Sequence, residues 1–255
     1  MHNSVCYWLE AVYKARESEI VGDNLPHESV IAVDASPTMS LLERFREVSR
    51  RWLKRWNRLA GWLAERAVGK AKDTTDVSLK DAFKAAGFTV KFQPSRELNT
   101  VSRALIAENV NLIKNKMVRP YLADVEGIVL RGVSMGRNLK YIREELDKRY
   151  DITTKRANLI ARDQLDKATQ AIQRTRDKEI GITEGIWVHM PGQKTSRETH
   201  IAMNGKQFKL EGDDKGLYDS DVGRNVLPAE CPACRCVYRA ILPDLPLLNA
   251  KENVQ

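Results

Sequence analysis

The chain contains no run of eighteen apolar residues, so no conventional membrane-spanning helix is expected. Its first twenty residues include Glu10, Lys14, Arg16, Glu17 and Glu19, which leaves no apolar core for a signal peptide. Histidine is scarce, with only His2, His27, His189 and His200. None follows His200, so His200 and Asn204 cannot be completed into a His-Asn-His nuclease pattern. There is no Walker loop, no G-x-G-x-x-G and no H-E-x-x-H, the signatures of common nucleotide and zinc-hydrolase sites. Cysteine is also sparse. Cys6 stands alone and the other three lie within six residues, unlike the evenly spread framework of a secreted disulfide protein. A reducing compartment fits that pattern.

What is present is a helix-forming composition of Ala, Leu, Glu, Lys and Arg over 255 residues, long enough for a substantial core. The net charge is +8 and the isoelectric point about 9.3, which keeps nucleic acid or an acidic protein surface in play as partners. Most of that charge sits on one segment. Between Leu41 and Lys72 ten cations face only three glutamates. Phe45, Val48, Trp52, Trp56, Leu59, Leu63 and Ala67 recur there at helical spacing. The pattern predicts a helix capped by Ser40, with Glu43 completing a capping box, running to about Ala71. Arg44, Arg51, Arg55 and Arg58 with Trp52 and Trp56 make this helix the candidate nucleic-acid or partner surface. Its tryptophans, Trp62 included, are expected to form an exposed aromatic patch.

Further elements follow from the same periodicity. Residues 5–19 read as a short helix and 21–38 as an extended connector with Gly22, Pro26 and Pro37. Residues 73–94 read as a polar stretch with a short helix at 78–86 and a short strand at 88–92. Thr100 is the expected cap of a second long helix that Pro120 should break or kink. Asn138 opens a further helix, and another is expected from Thr154 to about Lys178. After Gly181 the texture changes. Ile186–Val188, Gln207–Leu210 and Cys236–Leu242 are strand candidates, with a turn at Pro191-Gly192. The expected segments are 1–99 with the basic helix, a helical domain at 100–180, a small module at 181–243 and a tail at 244–255. The fold class is mainly α: a long-helix N-terminal part with a small α+β, zinc-ribbon-like C-terminal module.

Cys231-Pro-Ala-Cys234-Arg-Cys236 is the densest chemistry in the chain. Loops this short rarely meet disulfide geometry. With His200 the three thiols supply the ligand inventory of a closed structural zinc site. The competing reading is a set of buried, reduced cysteines closing the last strand. His189 is an alternative ligand, although its apolar strand context favours packing. For Arg162 and Arg197, intramolecular ion pairs with Asp213, Asp214 or Asp163 are preferred over ligand binding.

Several pieces in order carry a family resemblance. They are Tyr121–Val129 with the Gly132-Val-Ser134-Met-Gly136 turn, and Lys155-Arg-Ala-Asn-Leu-Ile-Ala-Arg162-Asp163. They continue through Trp187, Arg197-x-x-His200, Asn204-Gly205, Asp213-Asp214 and Cys234-Arg-Cys236. Together, from about Leu105 to Leu242, they resemble the phage head morphogenesis family, the Mu F-like minor head proteins. Asp163 and Gln164 stand where that family has Thr and Glu. Many relatives carry a second Cys pair where this chain has Arg197–His200, so a shared metal site would use His200 in its place and Cys231 as another ligand. The resemblance implies a non-catalytic minor structural protein of a tailed-phage head, associated with the portal and procapsid interior and acting in assembly and in DNA packaging or ejection. It implies portal, capsid or scaffold proteins as partners, nonspecific contact with packaged DNA, no membrane partner, and residence in the virion after assembly in the host cytoplasm. Two alternatives stand beside it: a zinc-dependent nuclease or toxin-like effector attached to a head protein, and a nonspecific DNA-binding protein.

Overall fold

The computed structural model describes residues 2–15, 37–134, 139–191 and 196–242. It is mainly helical, with five short strands confined to the C-terminal part, as the composition and periodicity predict. The helices are α1 (His2–Ala15), α2 (Pro37–Ala85), α3 (Arg96–Leu112), α4 (Arg119–Ser134), α5 (Leu139–Glu179) and the short α6 (Glu198–Ala202). No described helix is long and apolar enough to cross a membrane. Two compact units divide the chain, residues 1–64 with 107–158 and residues 65–106 with 159–255. That division differs from the segments drawn from the sequence because α2, α3 and α5 each contribute one end to each unit.

In the first unit α1, the N-terminal end of α2, α4 and the start of α5 share one apolar cluster. Val5 and Leu9 of α1 meet Phe45 of α2, Tyr121, Val125 and Ile128 of α4, and Ile142 and Leu146 of α5. The spacings of four, three or seven residues place each set on one helix face. Gly132 permits the closest approach, since a Cβ there would lie 2.4 Å from Ile142 Cγ1. The proline break is accommodated rather than made. A π-helical stretch, Ile113–Val118, precedes α4, and the Arg119 amide donates to Lys114 O, five residues back. Widening the turn ahead of Pro120 lets the chain continue as helix although the proline has no N–H to give. Asn138, the expected helix start, and Gly136 lie outside the described residues, as do the 21–36 part of the connector, Gly192 and the tail.

In the second unit α2 runs fourteen residues past the end its sequence pattern suggested. Its buried stripe continues through Val68, Ala71, Thr75, Leu79 and Phe83 at helical spacing, and Gly87 follows with a positive φ. Residues 88–92 form no strand; Val90 and Phe92 pack instead on the C-terminal core. The cap of α3 is Ser95, whose Oγ accepts the Leu98 amide at 3.0 Å, while Thr100 lies inside the helix and bonds Arg96 O. Helix α5 is continuous where two helices were expected. Arg176 on it is 2 % exposed. Its guanidinium makes two 2.8 Å hydrogen bonds to Asp76 of α2, donates to Glu179 and to Gln93 O, and covers the Phe92 ring.

The C-terminal module hangs on this helical frame. Strand β1 (Glu184–Val188) is central, antiparallel to β2 (Gln207–Lys209) on one side and β5 (Val237–Ala240) on the other. Trp187 opposes Tyr238 across the ladder and is fully buried. A hairpin of β3 (Leu217–Asp219) and β4 (Arg224–Val226) lies beside this sheet in sequence and has no counterpart in the predicted strands. Gly216 opens it, and a Cβ there would sit 2.3 Å from Val226 O.

Candidate metal centre

Four short pieces of the module converge on one buried imidazole. The five-residue helix α6 presents His200, which is 2 % exposed. Its Nδ1 faces the thiols, 3.4 Å from Cys234 Sγ and 3.7 Å from Cys236 Sγ. Its Nε2 lies 3.0 Å from Asp219 Oδ2 at the end of β3. Trp187 meets the ring edge-on at 5.3 Å between centroids. Zinc bonds of about 2.0–2.1 Å to nitrogen and about 2.3 Å to sulfur place tetrahedral N and S donors about 3.5–3.6 Å apart. The observed separations bracket that edge. A carboxylate behind the imidazole is the usual companion of a metal-bound histidine, fixing its tautomer and orientation.

The titratable groups at this point shift one another. The Cys236 thiol is pulled down to about 7, chiefly by the hydrogen bond it receives from Cys234. Giving that proton, together with burial, pushes Cys234 up. His200 is raised above its ordinary value, first through its hydrogen bond with Cys234 and despite burial. Burial works against the Asp219 charge, but the Asp221 amide, Thr199 and His200 hold its carboxyl below the ordinary value. Two thiol groups and an imidazole are therefore packed together with a carboxylate behind them.

The loop that carries the thiols is held from two sides. The Cys234 amide donates to Cys231 O, and Ala233 takes a positive φ between them. Asp163 Oδ1 of α5 accepts the Ala233 amide at 2.6 Å, and Arg197 donates to Pro232 O at 3.1 Å. These contacts correct the expected ion pairs. Arg197 serves a backbone carbonyl, Asp214 pairs with Lys209, Asp163 pairs with Lys167, and Arg162 is exposed on α5. Asp213 is likewise exposed. A carbonyl within reach in the tight Cys231–Cys234 turn outcompetes a solvated carboxylate for Arg197.

Of the four ligands expected from sequence, His200, Cys234 and Cys236 come together with donor atoms within 4.8 Å of one another. Cys231 groups with His200 and Asp219 instead. His189, read as a packing residue, brings its Nδ1 to 3.6 Å from Cys236 Sγ, its backbone held by Asn204. All four cysteines of the chain are free. Asp219 and Asp163 were missed by sequence reasoning. Asp219 belongs to a hairpin with no strong strand pattern. Asp163 lies seventy residues from the amide it holds, and the sequence marked it only as an ion-pair partner of Arg162 or Arg197 and as a departure from the family pattern.

The basic face is also in place. Arg44, Arg51, Arg55 and Arg58 are all exposed on α2, and intervals of seven, four and three residues align them on one side. Arg51 pairs with Glu47. Of the expected exposed aromatic patch only Trp62 is exposed; Trp52 and Trp56 are half-buried and pack against the core of the first unit. The apolar cluster of α1 and α4 supplies the surface that the sequence alone left open.

Residues 123–239 match the family model described as Phage Mu protein F like protein. An uncharacterized protein of Haemophilus influenzae strain Rd is 27% identical over 225 residues, which is 88% of this chain and 46% of that protein. The chain thus spans about half the length of the relative it matches. No solved structure gives a significant match. The matched segment runs from α4 through α5 and the cysteine loop to β5, and it is over this segment that the chain is similar to the phage Mu F-like proteins.

Proposed function

We propose that the protein is a non-catalytic minor component of a tailed-phage head that binds the portal assembly during head morphogenesis and stays with the capsid interior. The observation that carries this reading is the family match over residues 123–239, which takes in the whole chemistry-bearing module. The geometry around His200 supports a structural role for that chemistry. The imidazole is buried and has a protein partner at each nitrogen, and a fourth protein ligand beside it and the two thiols closes the coordination shell of a structural zinc site. In this reading zinc is held by His200, Cys234 and Cys236, with Cys231 or His189 as the fourth ligand. It adds directional bonds to the apolar cluster around Trp187 in a module whose strands are only three to five residues long.

The test is co-expression with the portal protein of the same phage. A stable complex that survives purification is the expected result. A protein that ignores the portal and cleaves DNA overturns the reading in favour of the nuclease alternative. Zinc is checked separately by elemental analysis of wild type and Cys234→Ser. The variant should lose one equivalent and the order of the C-terminal module, with the first unit intact. Nonspecific contact with packaged DNA belongs to the arginine row of α2. Reversing Arg51, Arg55 and Arg58 to Glu should abolish DNA retention at low salt without touching the core, and wild-type binding should fall steeply as salt rises.

A further inference from the structure

A second cluster of metal-ligating side chains lies in the first unit, and its His2 and Cys6 fall outside both the family match and the zinc reading. His2 and Cys6 are four apart on α1 and so share a face. That face meets Asp147 of α5 and Tyr121 of α4. His2 Nε2 is 3.0 Å from Asp147 Oδ1 and 3.7 Å from Cys6 Sγ. The three donor atoms lie within 4.8 Å of one another. His2 Nδ1 is 2.9 Å from the hydroxyl of Tyr121, which is 1 % exposed. The Tyr150 ring stacks on the imidazole at 4.2 Å and 15°.

Two chemistries use a cysteine, a histidine and an aspartate. The first is nucleophilic catalysis, in which the imidazole faces the thiol with one nitrogen and the carboxylate with the other. The geometry here is different. Cys6 Sγ sits at similar distances, 3.7 and 3.9 Å, from both ring nitrogens, and those nitrogens already face Asp147 and Tyr121. Burial and the Asp147 carboxylate also push the Cys6 thiol up, with Arg143 acting in the other direction. A nucleophile needs the reverse.

The second chemistry is metal ligation. Bonds of about 2.0–2.2 Å to N and O and about 2.3 Å to S put tetrahedral donors about 3.3–3.6 Å apart. The two pairs that involve His2 Nε2, 3.0 Å to Asp147 and 3.7 Å to Cys6, differ from that by a few tenths of an ångström. Tyr121 then accepts the Nδ1 proton and fixes the tautomer that leaves Nε2 for the ion. We propose that His2 Nε2, Cys6 Sγ and Asp147 form a second transition-metal site of the zinc class, with Tyr121 as the positioning residue. The Asp147 side chain is 58% exposed, so water or a partner's side chain can complete the shell. Binding displaces the Cys6 proton, and Arg143, paired with Glu10, stands nearby to favour the thiolate. The site ties α1 to α4 and α5 through bonds that an apolar face alone does not supply.

Cadmium-113 spectroscopy of the metal-stripped, reloaded full chain separates this site from the one at His200. A one-thiolate N/O site resonates apart from a site with two or more sulfurs. The expected result is a one-thiolate resonance in wild type that disappears in Cys6→Ser and in Asp147→Asn while any sulfur-rich resonance persists. Tyr121→Phe keeps all three ligands and should weaken cadmium binding at this site about ten- to hundredfold. A wild-type spectrum without the one-thiolate signal overturns the proposal, as does a signal that survives Cys6→Ser. Because Cys6→Ser leaves Val5 and Leu9 in place, α1 should stay docked, and unchanged far-ultraviolet dichroism checks that.

Discussion

The first unit closes over carbon: Val5, Leu9, Phe45, Val125, Ile142 and Leu146 are buried, and among the described residues it buries no charged side chain. The second unit buries Arg176, Asp177, His200 and Asp219 alongside its apolar residues. The difference follows from the elements each must hold. Helices satisfy their own backbone hydrogen bonds and need only an apolar stripe to dock. Strands of three to five residues joined by turns leave loops that must be fixed one group at a time. The second unit does this with Arg176 on Asp76 and Gln93 O, Asp163 on the Ala233 amide, and Asp219 behind His200. Apolar burial is nondirectional and tolerant. A buried polar anchor fixes position but becomes a liability as soon as one partner is removed.

That asymmetry predicts the largest effect. Arg176→Met should destabilise the second unit by about 3–5 kcal/mol, because Asp76 and Gln93 O lose their donor. The double variant Arg176→Met with Asp76→Leu should recover part of the loss, since it removes the unpaired Asp76 charge and leaves only Glu179 and Gln93 O without their donor. In the first unit Ile142→Ala should cost about 2–5 kcal/mol from lost packing, and no second substitution at a charged residue should rescue it. Urea unfolding followed by hydrogen exchange in each unit reads these effects separately. A double variant as unstable as the single one would show that the two units do not differ in this respect.

The sequence exposed the first unit's means of holding together far better than the second's. Phe45, Val125, Ile128, Ile142 and Leu146 recur at helical intervals, so the helices and the side that packs could be read from spacing. The exceptions were local. The end of α2 was missed because Asp73–Asp76 looks polar, although Thr75 returns its hydroxyl to Ala71 O and keeps the stripe buried. The Pro120 break was misjudged because a π-turn is not written in any residue type. In the second unit the thiols and His200 were legible from type and proximity. Their supports were not, because Asp163 to Ala233 spans seventy residues and Arg176 to Asp76 a hundred. Pairings at that range leave no periodic trace.

Asp163 tests whether the cysteine loop is shaped by α5 or by its own ligands. Asp163→Ala removes the acceptor of the Ala233 amide and the partner of Lys167. The expected cost is about 2 kcal/mol, the range for a hydrogen bond to a charged group. On the proposed zinc site, the metal-loaded variant should lose less, because ligation would then fix the turn that Asp163 otherwise fixes. Thermal unfolding of the apo and zinc-loaded proteins measures the difference. An equal loss in both states would mean that α5 and the metal act independently.

The smallest expected effect concerns Asp177, and it carries a pH signature. Its carboxylate accepts the Tyr238 hydroxyl at 2.6 Å and is fully buried, and burial raises its pKa from 3.8 to about 6. The folded protein therefore holds this proton more tightly than the unfolded chain. Its contribution to stability is fully present below about pH 3.8 and is lost as pH rises through about 6. Above that the second unit must bury a charge. Asn resembles the protonated acid in shape, and its amide oxygen can still accept from Tyr238. Asp177→Asn should therefore be more stable than wild type by about 1–2 kcal/mol at pH 8, with the gain shrinking to nothing by pH 4. Among the described residues no buried carboxyl lies in the first unit's core, so hydrogen exchange there should show no matching pH dependence between wild type and variant. A gain independent of pH would mean that the carboxylate stays charged throughout, and the contrast between a carbon core and an anchored polar core would then lose its titrating member.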